Sequence, residues 1–133
     1  MENIVVATFL YIAAFAVALS GFVIIILRKY MDRVMVHVYG GDHFPFWFWP
    51  ASLGLAVMFV YVVYEHFVGA QTWAGWIVAA MIGLGMPVQW AAVVWNKNGR
   101  DFLAHMSGEL TFVAVGVIRI AFGVFLYWLA MNA

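Results

Sequence analysis

The most unusual side chain in the sequence is an arginine that lies inside an apolar run. Arg119 stands between Ile118 and Ile120, near the middle of an apolar stretch at residues 110–131. An arginine at the centre of a membrane helix costs about 2.5 to 3.5 kcal/mol on translocon scales, so its guanidinium should face protein or water and not lipid. Helical side chains slant toward the N-terminus of their helix, so we expect Arg119 to reach toward the start of this stretch.

Three other polar side chains fall at a similar depth. A rise of about 1.5 Å per helical residue, counted from the basic ends of the other apolar stretches, brings Ser20, Ser52 and Gln89 level with Arg119. We therefore predict one intramembrane polar layer. It would serve conduction, a quinone or lipid headgroup, or an acidic group of a partner. The alternative is a buried arginine satisfied by Gln89, hydroxyls, carbonyls or a lipid phosphate. The chain places no carboxylate at this depth, which favours a partner from outside it.

A second group of possible ligands gathers near the same end of the chain's hairpins. It comprises His37, Asp42, His43, His105 and Glu109. The last two are four residues apart and would share a face of one helix. Imidazole and carboxylate together can bind zinc, copper or iron, so this group is a candidate metal site. The spacing fits no established metal motif, and the alternative is a set of interfacial histidines that cap or bridge loops.

Other chemistry has less support in the sequence. Cysteine is absent, which excludes disulfides, thiolate metal sites and cysteine nucleophiles. Neither a Ser-His-Asp order nor a phosphate-binding glycine loop stands on a suitable scaffold, and we predict no catalytic residues in this chain by itself. Glu65 and His66 close the second stretch, on the side opposite His105, so haem bound by two histidines of this chain is not expected. The sequence leaves the cofactor open: bound lipid is one candidate, and haem or a metal held by this chain alone is not expected.

The composition predicts that these residues belong to a protein surrounded by membrane lipid. Of the 133 residues, 68% are hydrophobic and 9% are charged, whereas soluble domains carry about 25% charged residues. Four apolar stretches are long enough to cross a hydrocarbon layer, at residues 4–27, 46–68, 72–95 and 110–131. Because backbone groups in lipid must bond within the protein, we predict an all-α integral membrane protein. The expected fold is a single domain, residues 1–133, in which four transmembrane helices form an up-down-up-down bundle.

The uneven distribution of basic residues predicts the orientation. Five of the six lie in the first and third connections: Arg28, Lys29, Arg33, Lys97 and Arg100. By the positive-inside rule these connections are cytoplasmic, so both termini are predicted to be non-cytoplasmic in a multi-pass protein. The formal net charge is zero, and we expect no nucleic-acid partner.

Glycine, proline and capping residues predict the helix boundaries. The first helix should continue past the membrane to Tyr39 and stop at the Gly40-Gly41 pair, because no breaker interrupts residues 28–39. Its outer part should pack near Phe102 and His105. Thr72 should cap the third helix, which ends at residues 96–99, and Asp101 should cap a fourth helix that starts before the membrane.

Small residues predict where helices approach one another. Gly75, Ala79 and Gly83 recur at four-residue spacing on the third stretch, and Ala14 and Ala18 do so on the first. Such stripes allow membrane helices to pack closely. The run Gly83-Leu84-Gly85 before Pro87 predicts a bend in the same helix.

These observations favour a small non-catalytic membrane subunit that packs against other chains of a larger complex. Its aromatic richness, short connections and lack of a catalytic set fit that role. Two alternatives stay open: a homo-oligomeric pore, small transporter or holin-like protein, and a redox anchor that helps to bind haem, quinone or metal. The expected partners are membrane lipids together with other membrane subunits or further copies of this chain.

Overall fold

Every regular element that the computed structural model describes, over residues 2–41 and 43–133, is helical. The helices are α1 (Ile4–Ile26), α2 (Met31–Tyr39), α3 (Phe48–Val68), α4 (Trp73–Ala80), a π-helical segment (Met81–Gly85), α5 (Met86–Val93), α6 (Lys97–Ala104) and α7 (Glu109–Asn132). Four helices are long and apolar enough to cross a membrane, at Ile4–Ile26, Phe48–Val68, Trp73–Val93 and Glu109–Met131. The third of these consists of α4, the π segment and α5. The prediction of four long apolar helices is confirmed.

The closest helix pair is α1 with α7. A methyl group on Gly21 would lie 2.5 Å from the carbonyl oxygen of Gly116, and one on Gly123 would lie 2.9 Å from the carbonyl oxygen of Ala14. These backbones therefore touch because side chains are missing between them, the arrangement typical of close helix pairs in membranes. The predicted pair Ala14 and Ala18, four residues apart on α1, both lie against Gly123 of α7, and Gly21 faces Gly116 further along the same contact.

One end of the bundle is closed by Asn3, whose side chain is buried. Its Nδ2 donates to the carbonyl oxygens of Glu65 and Ala70, each at 3.0 Å, and its backbone N–H donates to the carbonyl of Ala133 at 2.8 Å. Its Oδ1 accepts from the N–H of Val6 at 3.2 Å and so caps α1. One residue thus joins the start of α1, the turn between α3 and α4, and the end of α7.

The main hydrophobic core lies toward this closed end. Its buried members are Val6, Leu10, Ala14, Val62, Ala74, Val78, Leu126, Leu129, Ala130 and Ala133. The turn beside it is stabilised by Thr72, whose Oγ1 accepts from the N–H of Gly75 at 3.0 Å. Thr72 therefore caps α4, as predicted.

The first helix is shorter than predicted. It ends at Ile26, and residues 27–30 form a turn before α2 begins at Met31, so the expectation of one helix to Tyr39 is wrong. Leu27 leaves helical geometry with ψ near 16°, and Arg28 Nη1 turns back to donate to the carbonyl oxygen of Ile25 at 2.9 Å. A side-chain donor thus replaces a backbone donor at the helix end, which stabilises the turn. The stop at Gly40 is confirmed.

The start of the fourth apolar helix also differs from the prediction. Asp101 is not a cap but an interior residue of α6, and Asn96 caps that helix by accepting from the N–H groups of Asn98 at 3.0 Å and Gly99 at 3.4 Å. The preceding helix α5 ends at Val93, before the predicted limit. Gly108 then adopts φ +98°, which separates α6 from α7. The two short helices α2 and α6 pack against each other, in the region where contact was expected.

Candidate functional site: a cavity at the basic end of the bundle

A cavity of about 530 Å³ separates α3 and α5 from α7. Its walls include Leu55 and Ala56 of α3, Trp90 of α5, and Phe112 and Val115 of α7. The short helices α2 and α6 cover it on the outside through the residues Met31, Met35, Tyr39 and Leu103, joined by Met106 of the loop after α6. The main core lies toward Asn3, so the helices pack tightly at one end and stand apart at the other, where the cavity is open to the surface and Arg119 and Gln89 are exposed.

Three of the four residues of the predicted polar layer face this cavity. Ser52, Gln89 and Arg119 all contribute to its lining. The fourth, Ser20, accepts a hydrogen bond from Arg119 Nη1 at 3.1 Å. Ser20 donates its own hydroxyl hydrogen to the carbonyl of Val17 at 2.7 Å, which leaves an oxygen lone pair for the guanidinium. The structure therefore brings all four together, and their joint role stays a prediction.

The positive charge of Arg119 has no described counter-ion. The one ion pair among residues 2–41 and 43–133 joins Arg28 Nε to Glu109 Oε2 at 3.5 Å. Arg119 therefore has a neutral hydroxyl as its hydrogen-bond partner within the described chain, although a guanidinium carries five N–H donors. The remaining N–H donors of the guanidinium can bind an acceptor with negative charge, because hydrogen bonds between ionised partners are stronger than neutral ones.

The rest of the lining is apolar and adaptable. Four methionines contribute to it: Met31, Met35, Met86 and Met106. Methionine is flexible and polarizable, so it fits ligands of irregular shape. Arg119 is the lining residue farthest along α7, about 10 Å beyond Phe112 at 1.5 Å of rise per residue. Arg119 thus lies in the inner part of the cavity, as does the apolar Met86 at the start of α5, and the side chains toward α2 and α6 are apolar.

Aromatic side chains join α3 to α5 beside the cavity. The rings of Phe44 and Phe48 stack with centroids 4.1 Å apart, and Trp49 lies edge-on to Trp90 at 6.0 Å. The Arg100 guanidinium sits 5.4 Å from the Phe44 ring centroid, a cation–π contact that attaches α6 to this group. This cluster was not predicted, because the pairing depends on how the loop after α2 folds back.

A π-helical segment lies directly before the part of α5 that lines the cavity. It covers Met81–Gly85, and Met86 is the first cavity residue after it. Pro87 has no N–H, so the carbonyl of Gly83 loses its usual helical donor, and the helix accommodates this by a wider turn. A π segment therefore lies where the run Gly83-Leu84-Gly85 before Pro87 predicted a bend. Such segments are frequent at functional sites.

The candidate metal ligands are spread over several elements. His37 is exposed on α2, His43 is exposed in the following loop, and Asp42 lies outside the described residues. His105 and Glu109 do not share a helix, because His105 ends α6 and Glu109 begins α7. That part of the metal hypothesis is wrong, and Gly108 is the reason. Within residues 2–41 and 43–133, no three histidine or acidic side chains lie close enough to hold a metal ion.

His105 and Glu109 each have a local partner instead. His105 Nδ1 lies 2.7 Å from the carbonyl oxygen of Asp101, one turn earlier in α6. Glu109 pairs with Arg28 and so connects the end of α1 to the start of α7. These contacts fit the alternative in which interfacial side chains bridge loops.

The small-residue stripe of the third apolar helix has two different surroundings. Gly75 is buried against the His66 ring, where a methyl group would overlap the imidazole. A methyl group on Gly83 would meet nothing within 4 Å of the described chain. Ala79, between them, is half-buried. The stripe therefore packs within the chain at Gly75 and faces outward at Gly83.

His66 is enclosed at the closed end of the bundle. Its side chain is 1% exposed, and its ring lies edge-on to Trp76 with centroids 4.7 Å apart. Neither ring nitrogen has a hydrogen-bond partner among the side chains and backbone groups that the structure describes. Hydropathy could not predict this burial, because a histidine near the end of an apolar stretch is usually interfacial.

The arrangement around the cavity is suited to binding. It combines a positive charge and hydrogen-bond donors with a larger apolar surface, the usual composition of small-molecule pockets in proteins. No protein-family model matches this chain, and neither a curated protein nor a solved structure matches it.

Proposed function

We propose that this chain is an integral membrane protein with four spans in up-down-up-down order, and that it binds an amphiphilic molecule in the cavity without transforming it. The basic connections are cytoplasmic and both termini lie on the other side. The four apolar helices support insertion, and the five basic residues near α2 and α6 support this orientation.

The observation that carries the proposed activity is the meeting of Ser52, Gln89 and Arg119 on one cavity of about 530 Å³. Pockets for drug-sized ligands measure about 300 to 1,000 Å³ and place a few polar groups in an apolar lining. An ionisable side chain inside a membrane span is costly and marks a functional site by default. A molecule with a polar end and an apolar body satisfies both parts of this lining.

Fluorescence quenching tests the proposal, because Trp90 lines the cavity. A brominated single-chain amphiphile added to the protein in lipid nanodiscs should quench Trp90 in a saturable manner. The quenching of Trp90 itself is the difference between the quenching of the wild type and that of Trp90→Phe.

Ala56 also lines the cavity, so Ala56→Phe should fill part of it and remove the saturable component of the quenching. Exposed Ala51 on the same helix is not a lining residue, and Ala51→Phe is the matched control. Quenching that is equal in all of these variants would contradict cavity binding.

A second candidate function is that of a subunit in a larger membrane complex. Gly54, Gly83 and Gly85 favour it, because a methyl group on any of them would meet nothing within 4 Å of the described chain. Glycines on an outward surface allow the close approach of another helix. This role is compatible with the cavity, since the two surfaces are different.

The subunit role is tested by measuring the native mass of the complex extracted in mild detergent. Gly83→Leu should remove co-purifying chains if another helix packs there. Arg119→Leu should remove them only if the partner reaches the cavity with an acidic group. A native mass equal to one chain in the wild type would contradict the subunit role and leave the binding proposal standing.

A further inference from the structure

We propose that the occupant of the cavity is a single-chain amphiphile with an anionic oxygen head, bound with its head on Arg119 and its chain toward α2 and α6. This inference rests on the proposed binding function and specifies the chemistry of the ligand. The head is a carboxylate or a phosphate, two groups that present the same acceptor-only oxygens to a guanidinium.

The charge of the inner lining selects an anion. Arg119 contributes a fixed positive charge, and Gln89 and Ser52 can each add a hydrogen-bond donor. Glu109 is engaged by Arg28, and no described carboxylate lies within ion-pair distance of Arg119. Hydrogen bonds between ionised partners are roughly twice as strong as neutral ones. A neutral carbonyl or hydroxyl head would therefore leave most of the available interaction unused.

The shape of the lining selects one chain and sets its direction. Arg119 is the innermost lining residue of α7, whereas Met31, Met35 and Leu103 cover the outside. A ligand that places its head on Arg119 runs its apolar part outward past Met31, Met35 and Met106. This is the reverse of bulk membrane lipid, whose headgroup stays at the interface. The cavity volume of about 530 Å³ lies in the lower half of the usual pocket range of about 300 to 1,000 Å³, which suits one chain better than two.

The test compares three brominated probes of equal chain length, hexadecanoate, hexadecyl phosphate and hexadecanol, with the protein in nanodiscs of neutral lipid. The readout is the Trp90-dependent quenching, taken again as the difference from Trp90→Phe. We expect saturable binding of at least one anionic probe, and affinity for the alcohol that is lower by roughly tenfold or more. Binding of the carboxylate alone would identify a fatty-acid head, and binding of the phosphate alone would identify a phosphate head.

Substitutions in the cavity lining test whether Arg119 and Gln89 cause the preference for an anionic head. Arg119→Gln should weaken anion binding by roughly tenfold or more and bring it close to that of the alcohol. Gln89→Leu should weaken it less, because a neutral donor is removed, and it provides a second route should Arg119→Gln not fold. Lys29→Gln removes an exposed cation that does not line the cavity and should change nothing.

Two results would overturn the inference, and they have different consequences for the proposed binding function. Equal affinity for the alcohol and both anions, unchanged in Arg119→Gln, would show a site indifferent to charge and would leave the amphiphile-binding function intact. If none of the three probes quenched Trp90 in a saturable manner, both the proposed binding function and the inferred anionic head would be contradicted.

Discussion

Arg119 and Ser20 are joined by a hydrogen bond of 3.1 Å from the guanidinium Nη1 to the hydroxyl oxygen. The two residues belong to α7 and α1, the helices whose backbones make the closest contact. The polar part of the cavity is therefore attached to the most tightly packed pair in the bundle. A binding residue benefits from such support, because little order has to be imposed on it when a ligand arrives.

A double-mutant cycle on this pair measures its strength. We expect Ser20→Ala to lower the unfolding free energy in detergent micelles by about 0.6 to 2 kcal/mol, the range for interhelical hydrogen bonds in membranes. Arg119→Leu removes a costly charge as well as the bond, so the empty protein should be equally or more stable. In the Arg119→Leu background, Ser20→Ala should have nearly no further effect. Fully additive effects of the two changes would show that the residues do not interact.

The close pair of α1 and α7 predicts a strong dependence on glycine. Gly21→Ala should destabilise the fold by about 1 to 3 kcal/mol, because its methyl group would lie 2.5 Å from the carbonyl oxygen of Gly116. Gly54→Ala is the control, since the same methyl group on α3 meets no atom of residues 2–41 and 43–133 within 4 Å. It should raise helix stability by about 0.5 to 1 kcal/mol. Thermal unfolding of both variants in one detergent distinguishes these signs, and a loss of similar size in both would refute the steric explanation.

Asn3 should contribute more to stability than its position near the start of the chain implies. Asn3→Ala removes a helix cap and two side-chain hydrogen bonds to the carbonyls of Glu65 and Ala70, so we expect a loss of about 1 to 3 kcal/mol. Asn132→Ala is the matched control. Its exposed amide donates to the carbonyl of Trp128 in the same helix, and the change should stay within about 0.5 kcal/mol. Equal unfolding temperatures for the two variants would contradict the importance of Asn3.

Single cysteines test the orientation without background, because the chain has no cysteine of its own. Asn98→Cys lies on α6 among the basic residues, and Gln71→Cys lies in the turn between α3 and α4. An impermeant thiol reagent added to intact cells should label Gln71→Cys, whereas Asn98→Cys should react only after the membrane is opened. Labelling of both from the same side would refute the four-span arrangement.

Hydropathy predicted the four long helices well, because a run of about 20 consecutive apolar residues matches the length that a helix needs to cross the hydrocarbon layer. Counting helical rise also placed Arg119, Gln89 and Ser52 at one depth, and the structure sets all three around one cavity. The quenching experiments test whether they act as one binding layer. Periodicity alone could not predict the cavity, which exists because α3 and α5 stand away from α7 over part of their length.

Two of the wrong helix boundaries have a common physical cause. The break after Ile26 depends on Arg28 reaching back to the carbonyl of Ile25, and the break before Glu109 depends on the positive φ of Gly108. Both are decided by local hydrogen bonds and by the packing of α2 on α6, and neither depends on hydrophobicity. The closeness of α1 and α7 was also not predicted, because the pairing of their glycines requires knowing which helices are neighbours.

The most direct test of the central claim is native mass spectrometry of the protein released from nanodiscs after incubation with hexadecanoate and with hexadecyl phosphate. The cavity predicts a single retained adduct of at least one of these amphiphiles in the wild type and in Ala51→Phe. That adduct should be strongly reduced in Ala56→Phe, which fills part of the cavity, and in Arg119→Gln, which removes its charge. The same distribution of adducts in all four proteins, or no retained adduct in the wild type, would contradict the claim that this cavity binds an amphiphile.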